Sequence, residues 1–104
     1  MEVYIEHNVL ADLYTTGKDN KKHRYPPQII RKYIKVVDLM ISVVDVEKLR
    51  QYNSLNYEKL VGDKKGLSSV RVNDQYRIEF EETVVGEETI ATIVNITDLS
   101  NHYK

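Results

Sequence analysis

The chemistry this chain can offer is drawn from Glu, Arg, Lys, His and Tyr. It has no cysteine, which excludes disulfide scaffolds, thiolate zinc or iron–sulfur sites and thiol nucleophiles. The three histidines, His7, His23 and His102, lack the spacing of metal ligands. There is no glycine-rich phosphate loop, no Gly-x-Ser-x-Gly elbow and no His-Glu-x-x-His. The remaining side chains suit cleavage of an RNA phosphodiester without a metal. That reaction needs a base for the 2′-hydroxyl proton, an acid for the leaving 5′-oxygen, and cations for the charge growing on the phosphorus oxygens. Histidine titrates near neutrality, so His102 can be the acid if the fold brings the end of the chain to the site.

The cations are placed by a hairpin. Val70, Val72, Tyr76, Ile78 and Phe80 alternate with polar residues on either side of Asn73. A two-residue turn would split this apolar set between both faces of the sheet. A three-residue loop, Asn73-Asp74-Gln75, pairs Val72 with Tyr76 and Val70 with Ile78, so that the apolar residues share one face. Arg71 then lies opposite Arg77 on the other. Like charges across a strand pair repel. Either an anion such as phosphate sits between the two guanidinium forks, or one arginine pairs with a carboxylate such as Glu79 or Glu58.

The rest of the chain must hold that hairpin. Val3 and Ile5 mark a brief strand over Glu2 to Glu6. Asn8 caps a short helix carrying Val9, Leu10, Leu13 and Tyr14, which Gly17 closes. Residues Gly17 to Tyr25 form a polar, basic loop. Pro26-Pro27 opens the main helix, expected from Pro27 to Val44, with Ile30, Tyr33, Ile34, Val37, Ile41 and Val44 on its apolar face. Asp45 caps a further helical turn through Leu49, and a loop follows around Tyr52 to Tyr57. Thr89 to Thr97 reads as a strand of the sheet interior. Helices first and a meander of strands after them predict an α+β fold, with the helices on one face of a mainly antiparallel sheet.

The 104 residues, with 41% hydrophobic content, match a single domain spanning 1–104. The longest mostly apolar stretch, Ile34 to Val46, is interrupted by Lys35, Asp38 and Asp45 and is well short of the roughly 20 residues of a membrane span. The first residues lack a basic and an apolar signal region, so the expected location is cytoplasmic. The net charge is −1, but its distribution is uneven. Lys18, Lys21, Lys22, Arg24, Arg31, Lys32 and Lys35 cluster between Thr16 and Lys35, with Asp19 as the one acid. Glu79 to Glu88 has five acids and no base. A basic segment of this kind is either a solvated helix face or a footprint for a polyanion.

The stretch Leu60-Val-Gly-Asp-Lys-Lys-Gly-Leu-Ser-Ser-Val-Arg-Val-Asn-Asp-Gln-Tyr-Arg-Ile-Glu-Phe80 resembles the signature region of the RelE/ParE superfamily of bacterial toxins. It is most similar to the HigB-type pattern Leu-x-Gly-(Asp/Asn)-x-x-Gly-x-(Tyr/Trp)-Ser-x-Arg-(Ile/Val)-x-x-x-(Tyr/His/Trp)-Arg-(Ile/Leu)-x-(Phe/Tyr). The ending Leu99-Ser-Asn-His-Tyr103 is similar to the tails of the HigB and YoeB branches. The resemblance implies a RelE-like fold and a type II toxin: a ribosome-dependent endoribonuclease, or mRNA interferase, that needs no cofactor. Carried over by position, Arg77 binds the scissile phosphate and Arg71 is a second basic residue of that site. Glu58 is the general base, His102 the acid, and Tyr103 a substrate contact. Lys59, Lys64 and Lys65 contact phosphate or ribosomal RNA. The implied partners are a HigA-like helix-turn-helix antitoxin, mRNA and the ribosomal A site, with Lys18 to Lys35 docking on the ribosome. Two alternatives remain: a ParE-like toxin that inhibits gyrase without catalysis, and an inactive binding module. The chain departs from the pattern at Ser68, where an aromatic that could stack on a base is usual, and at Asp98-Leu-Ser-Asn-His-Tyr, where many HigB toxins end in Asp-Tyr-His.

Overall fold

The computed structural model describes residues 1–19 and 25–101. Its backbone runs β1 (Glu2–Tyr4), α1 (Asn8–Thr16), α2 (Pro27–Ser42), α3 (Val46–Arg50), β2 (Glu58–Lys59), β3 (Leu67–Arg71), β4 (Arg77–Thr83) and β5 (Ile93–Ser100). Short 3-10 turns at Asn53–Leu55 and Gly62–Lys64 flank β2. The five strands form one sheet in the order β1-β5-β4-β3-β2. Neighbours are antiparallel except β1, which lies parallel to β5. This is the expected α+β arrangement around a mainly antiparallel sheet.

Each helix follows from its sequence, with two corrections. α2 opens on Pro27, whose missing N–H costs nothing in a first turn. It buries Ile29, Ile30, Tyr33, Val36, Val37 and Met40 at helical spacing. It stops at Ser42 rather than Val44, because Val43 turns extended. Ile41 and Val44, expected on the apolar face, are exposed. α1 is capped by His7 and not by Asn8: the His7 carbonyl takes the Ala11 N–H at 2.9 Å, and its ring Nδ1 accepts from the Leu10 N–H at 3.4 Å. The helix therefore begins at Asn8, one residue earlier than a cap there would allow. Gly17 closes it at φ 70°, a left-handed conformation that glycine adopts without steric cost. Asp45 caps α3 as expected, accepting from the Lys48 N–H at 2.9 Å.

The buried apolar side chains of the three helices and of β3, β4 and β5 join in one cluster, from Leu10 and Tyr33 to Phe80, Ile96 and Leu99. Each contributes about 1.5–3 kcal/mol by leaving water. The Tyr33 hydroxyl donates to the Leu10 carbonyl at 2.9 Å and fixes α2 on α1. With the helices on one side, the opposite side of the hairpin is left to the polar residues.

The last strand differs from the expected Thr89 to Thr97. Residues 89–92 form a connector, with the Ala91 carbonyl taking the Val46 N–H at 3.0 Å, and β5 runs on to Ser100. It continues because its register shifts between Glu79 and Phe80 of its partner: Ile96 faces Phe80 while Asp98 faces Glu79, leaving Thr97 as an extra residue. Such a bulge re-aims the side chains beyond it. It lets Ile96 and Leu99, three residues apart, both enter the core, and it sends Asp98 and Ser100 to the other face.

Candidate active site

The hairpin closes through three residues. The Val72 N–H donates to the Tyr76 carbonyl at 2.9 Å. The Asn73 side chain accepts from the N–H groups of Gln75 and Tyr76, at 2.9 and 2.7 Å. Val70 therefore pairs with Ile78 and Arg71 with Arg77, in the expected register. Directly paired residues share a face, which builds two rows across the side away from the helices. One is basic: Arg71, Arg77, Ser100. The next, one repeat of the pleat along, is acidic: Glu58, Ser69, Glu79, Asp98.

The two arginines relieve their repulsion by turning apart. Arg77 is only 5% exposed. Its Nε donates to the Ser69 hydroxyl at 2.8 Å, and its terminal nitrogen donates to the Ser69 carbonyl at 3.3 Å and to the Asn56 carbonyl. The guanidinium thus lies across β3 toward β2, the strand that carries Glu58. Arg71 turns back along its own hairpin to the carboxylate of Asp74. The carboxylate partner of Arg71 is therefore in the turn, and not Glu79 or Glu58. Its side chain remains 35% exposed.

Glu79 is 2% exposed and holds the Lys64 ammonium at 2.7 Å. The Lys64 side chain remains 41% exposed. The other two lysines of that segment stand elsewhere. Lys59 pairs with Ser68, on the side that faces the helices. Lys59 and Lys65 together line a groove of about 480 Å³ with Leu60, Val61 and Val84. Ser68, where the family pattern has an aromatic, lies on the other face from the arginines. It pairs with Phe80 and bonds Tyr57 and Glu82 on the helix side. Glu58 is exposed at the end of the acidic row.

His102 and Tyr103 lie outside the described residues, as do Lys21, Lys22, His23 and Arg24 of the basic segment. Arg31, Lys32 and Lys35 are exposed on α2. Among the described residues no group of three His, Asp or Glu side chains is placed to hold a metal ion. No helix there is long and apolar enough to cross a membrane.

A family model, the RelE-like toxin of type II toxin–antitoxin system HigB, matches residues 4–96. The chain belongs to this family of HigB-like toxins. Among solved structures it is similar to a YoeB/ParE toxin from Agrobacterium tumefaciens, with 17% identity over 99% of this chain and 100% of that one and a TM-score of 0.56. A YoeB–YefM complex from Staphylococcus aureus matches with 16% identity, 99% and 98% coverage and a TM-score of 0.53. At these identities the likeness is one of fold. No curated protein matches significantly.

In this HigB-like toxin two residues that build the site went unassigned by sequence reasoning. Ser69 stands in the signature stretch, and the hairpin register already places it beside Arg71 on the arginine face. That register was the signal for its role as the seat of Arg77. Asn56 contributes a carbonyl from a left-handed residue at φ 44°, which no side-chain pattern announces. At the end of β5 the Tyr25 hydroxyl donates to the Leu99 carbonyl at 3.2 Å and its ring meets Tyr76 edge-on at 6.0 Å. Burial, with Asp98 nearby, pushes the Tyr25 phenol up to about 12, so it stays a neutral donor at working pH.

Proposed function

We propose that this type II toxin is a metal-independent endoribonuclease that cleaves translated mRNA on the ribosome. The observation that carries the reading is the seated guanidinium of Arg77, locked by Ser69 and Asn56 on the polar side of the sheet. A fixed positive charge that needs no reorganisation during reaction is what a developing phosphorane requires. Arg77 supplies that charge from the floor, while Arg71 and Lys64, each with a third or more of its side chain exposed, meet phosphate directly.

The acidic row supplies the base. Glu58 and Glu79 are two strand spacings apart, about 10 Å. The Glu79 carboxylate is buried on Lys64, and Glu58 is in solvent on the side toward which Arg77 leans. Glu58 takes the proton of the 2′-hydroxyl, whose oxygen bonds to phosphorus as the bond to the 5′-oxygen breaks. His102 gives that oxygen its proton, leaving a 2′,3′-cyclic phosphate and a 5′-hydroxyl. In favour of this role, His102 follows by two positions Ser100, the residue paired with Arg77. Tyr103 contacts the substrate, and the basic segment of Lys18 to Lys35 docks on ribosomal RNA. The toxin is restrained by a HigA-like helix-turn-helix antitoxin, and it acts in the cytoplasm.

The test is mRNA cleavage by the purified protein, with and without programmed ribosomes, beside Arg77→Ala and His102→Ala. Cutting with ribosomes alone, lost in both variants, is the expected result. A folded wild type that cuts under neither condition yet arrests growth overturns the nuclease reading and favours a gyrase-directed toxin.

A further inference from the structure

We propose that Glu79 is a positioning residue that pins the Lys64 ammonium beside Arg77, making Lys64, rather than Lys59 or Lys65, the lysine that meets the scissile phosphate. The inference rests on the nuclease reading and specifies one part of its site.

A buried carboxylate is expensive unless paired. Glu79, at 2% exposure, sits in the middle of β4, two residues from Arg77 on the same face. A toxin that binds anions gains nothing from a bare negative charge there. The charge is useful as an anchor, because Lys64 lies against it at 2.7 Å while keeping 41% of its side chain exposed. Lysine is otherwise a loose ligand, with a flexible four-carbon stem and a strongly hydrated head. Here both ends of the stem are held. At the backbone end, the 3-10 turn Gly62–Lys64 is closed by the Lys65 N–H donating to the Gly62 carbonyl at 3.1 Å, and the flanking Leu60 N–H reaches the Leu67 carbonyl at 2.9 Å. Gly62 starts that turn at φ 67°, which a side chain would strain. At the ammonium end, Glu79 accepts one of three N–H donors. Lys59 and Lys65 have no comparable placement on the arginine face, since both line the groove at the β2 edge.

A staple that only joins the turn to β4 would show the same contact, so the test must separate anchoring from stapling. Glu79→Gln keeps the size of the side chain and removes the anchoring charge. Single-turnover cleavage on programmed ribosomes is expected to fall about 10- to 100-fold, the scale of a misplaced catalytic contact. The charge swap Lys64→Glu with Glu79→Lys restores the ion pair, and with it the thermal midpoint, but buries the ammonium, so the rate is expected to stay low. Lys64→Arg, which keeps an exposed cation at the anchor, is expected to recover most of the rate. Lys59→Ala and Lys65→Ala should each cost less of the single-turnover rate than Lys64→Ala, and should lower the salt dependence of ribosome binding. The inference is overturned if Glu79→Gln cuts at the wild-type rate, or if the charge swap restores rate and midpoint together, in a preparation where Arg77→Ala is dead. A wild type that does not cut overturns the nuclease reading, and this inference with it.

Discussion

The two faces of the β3–β4 hairpin are buried to similar depth by opposite means. Val70, Ile78 and Phe80 are covered by the helices, and their neighbours Ser69, Arg77 and Glu79 are covered within a lattice of polar contacts. Apolar burial needs shape and little else. Polar burial costs desolvation that each hydrogen bond only offsets. The apolar face therefore carries the stability of the molecule, and the polar face spends some of it on holding charges in fixed places. Substitutions on the first should move the unfolding midpoint, and those on the second should move the rate.

The strongest way to break this contrast is Phe80→Ala. The ring is fully buried and paired with Ser68 at the centre of the sheet, so its loss should cost about 3–5 kcal/mol in urea unfolding. Activity per folded molecule should hardly change. A large fall in that specific activity would show that the faces are not separable.

Arg77→Met is the mirror experiment. Cleavage should fall about 10²- to 10³-fold, the scale of removing one preorganised charge-stabilising group. Stability should fall by no more than about 1–3 kcal/mol, for the Ser69 and Asn56 acceptors left behind. An unfolding loss equal to that of Phe80→Ala would make Arg77 a structural residue first.

Ser69→Ala gives a smaller effect and sharpens the same point. It strands the Arg77 Nε but leaves the carbonyls of Ser69 and Asn56 in place. Stability should drop by about 1 kcal/mol and the rate by about tenfold, through a looser guanidinium. Cysteine or threonine at position 69, each with an acceptor, should recover part of the rate.

How much of this was legible in the residues follows from the distance over which each feature is determined. The register that sets Arg71 against Arg77 is local: a period of two and three turn residues decide it. The Asp45 cap and the Pro27 helix start are local too. The β5 bulge was not legible. A strict alternation through Ile96, Thr97, Asp98 and Leu99 puts Ile96 and Leu99 on opposite faces, and only pairing with Glu79 and Phe80 shows that both enter the core. The Lys64–Glu79 pair spans 15 residues and depends on a turn whose direction is set by Gly62. Glu79 was visible as a candidate partner, but for an arginine. The Asn56 carbonyl has no side-chain signature at all.

The smallest effect expected is on pH, and it tests the covered side alone. Burial, aided by the carboxylate of Glu82, pushes the Tyr57 phenol up to about 12, and burial does the same for Tyr25. In the unfolded chain both titrate near 10. A raised pKa means that the folded state keeps a proton which the unfolded state releases, so stability is undiminished below pH 10 and declines as pH rises from 10 to 12. The urea midpoint should show that decline, and Tyr57→Phe should flatten it in part. Tyr57 bonds Ser68 and Glu82 on the helix side, so the same substitution should leave cleavage at neutral pH unchanged. A wild-type midpoint that stays level to pH 12 would mean that these phenols reach water freely, and that the edge of the apolar face near β2 is looser than its packing implies.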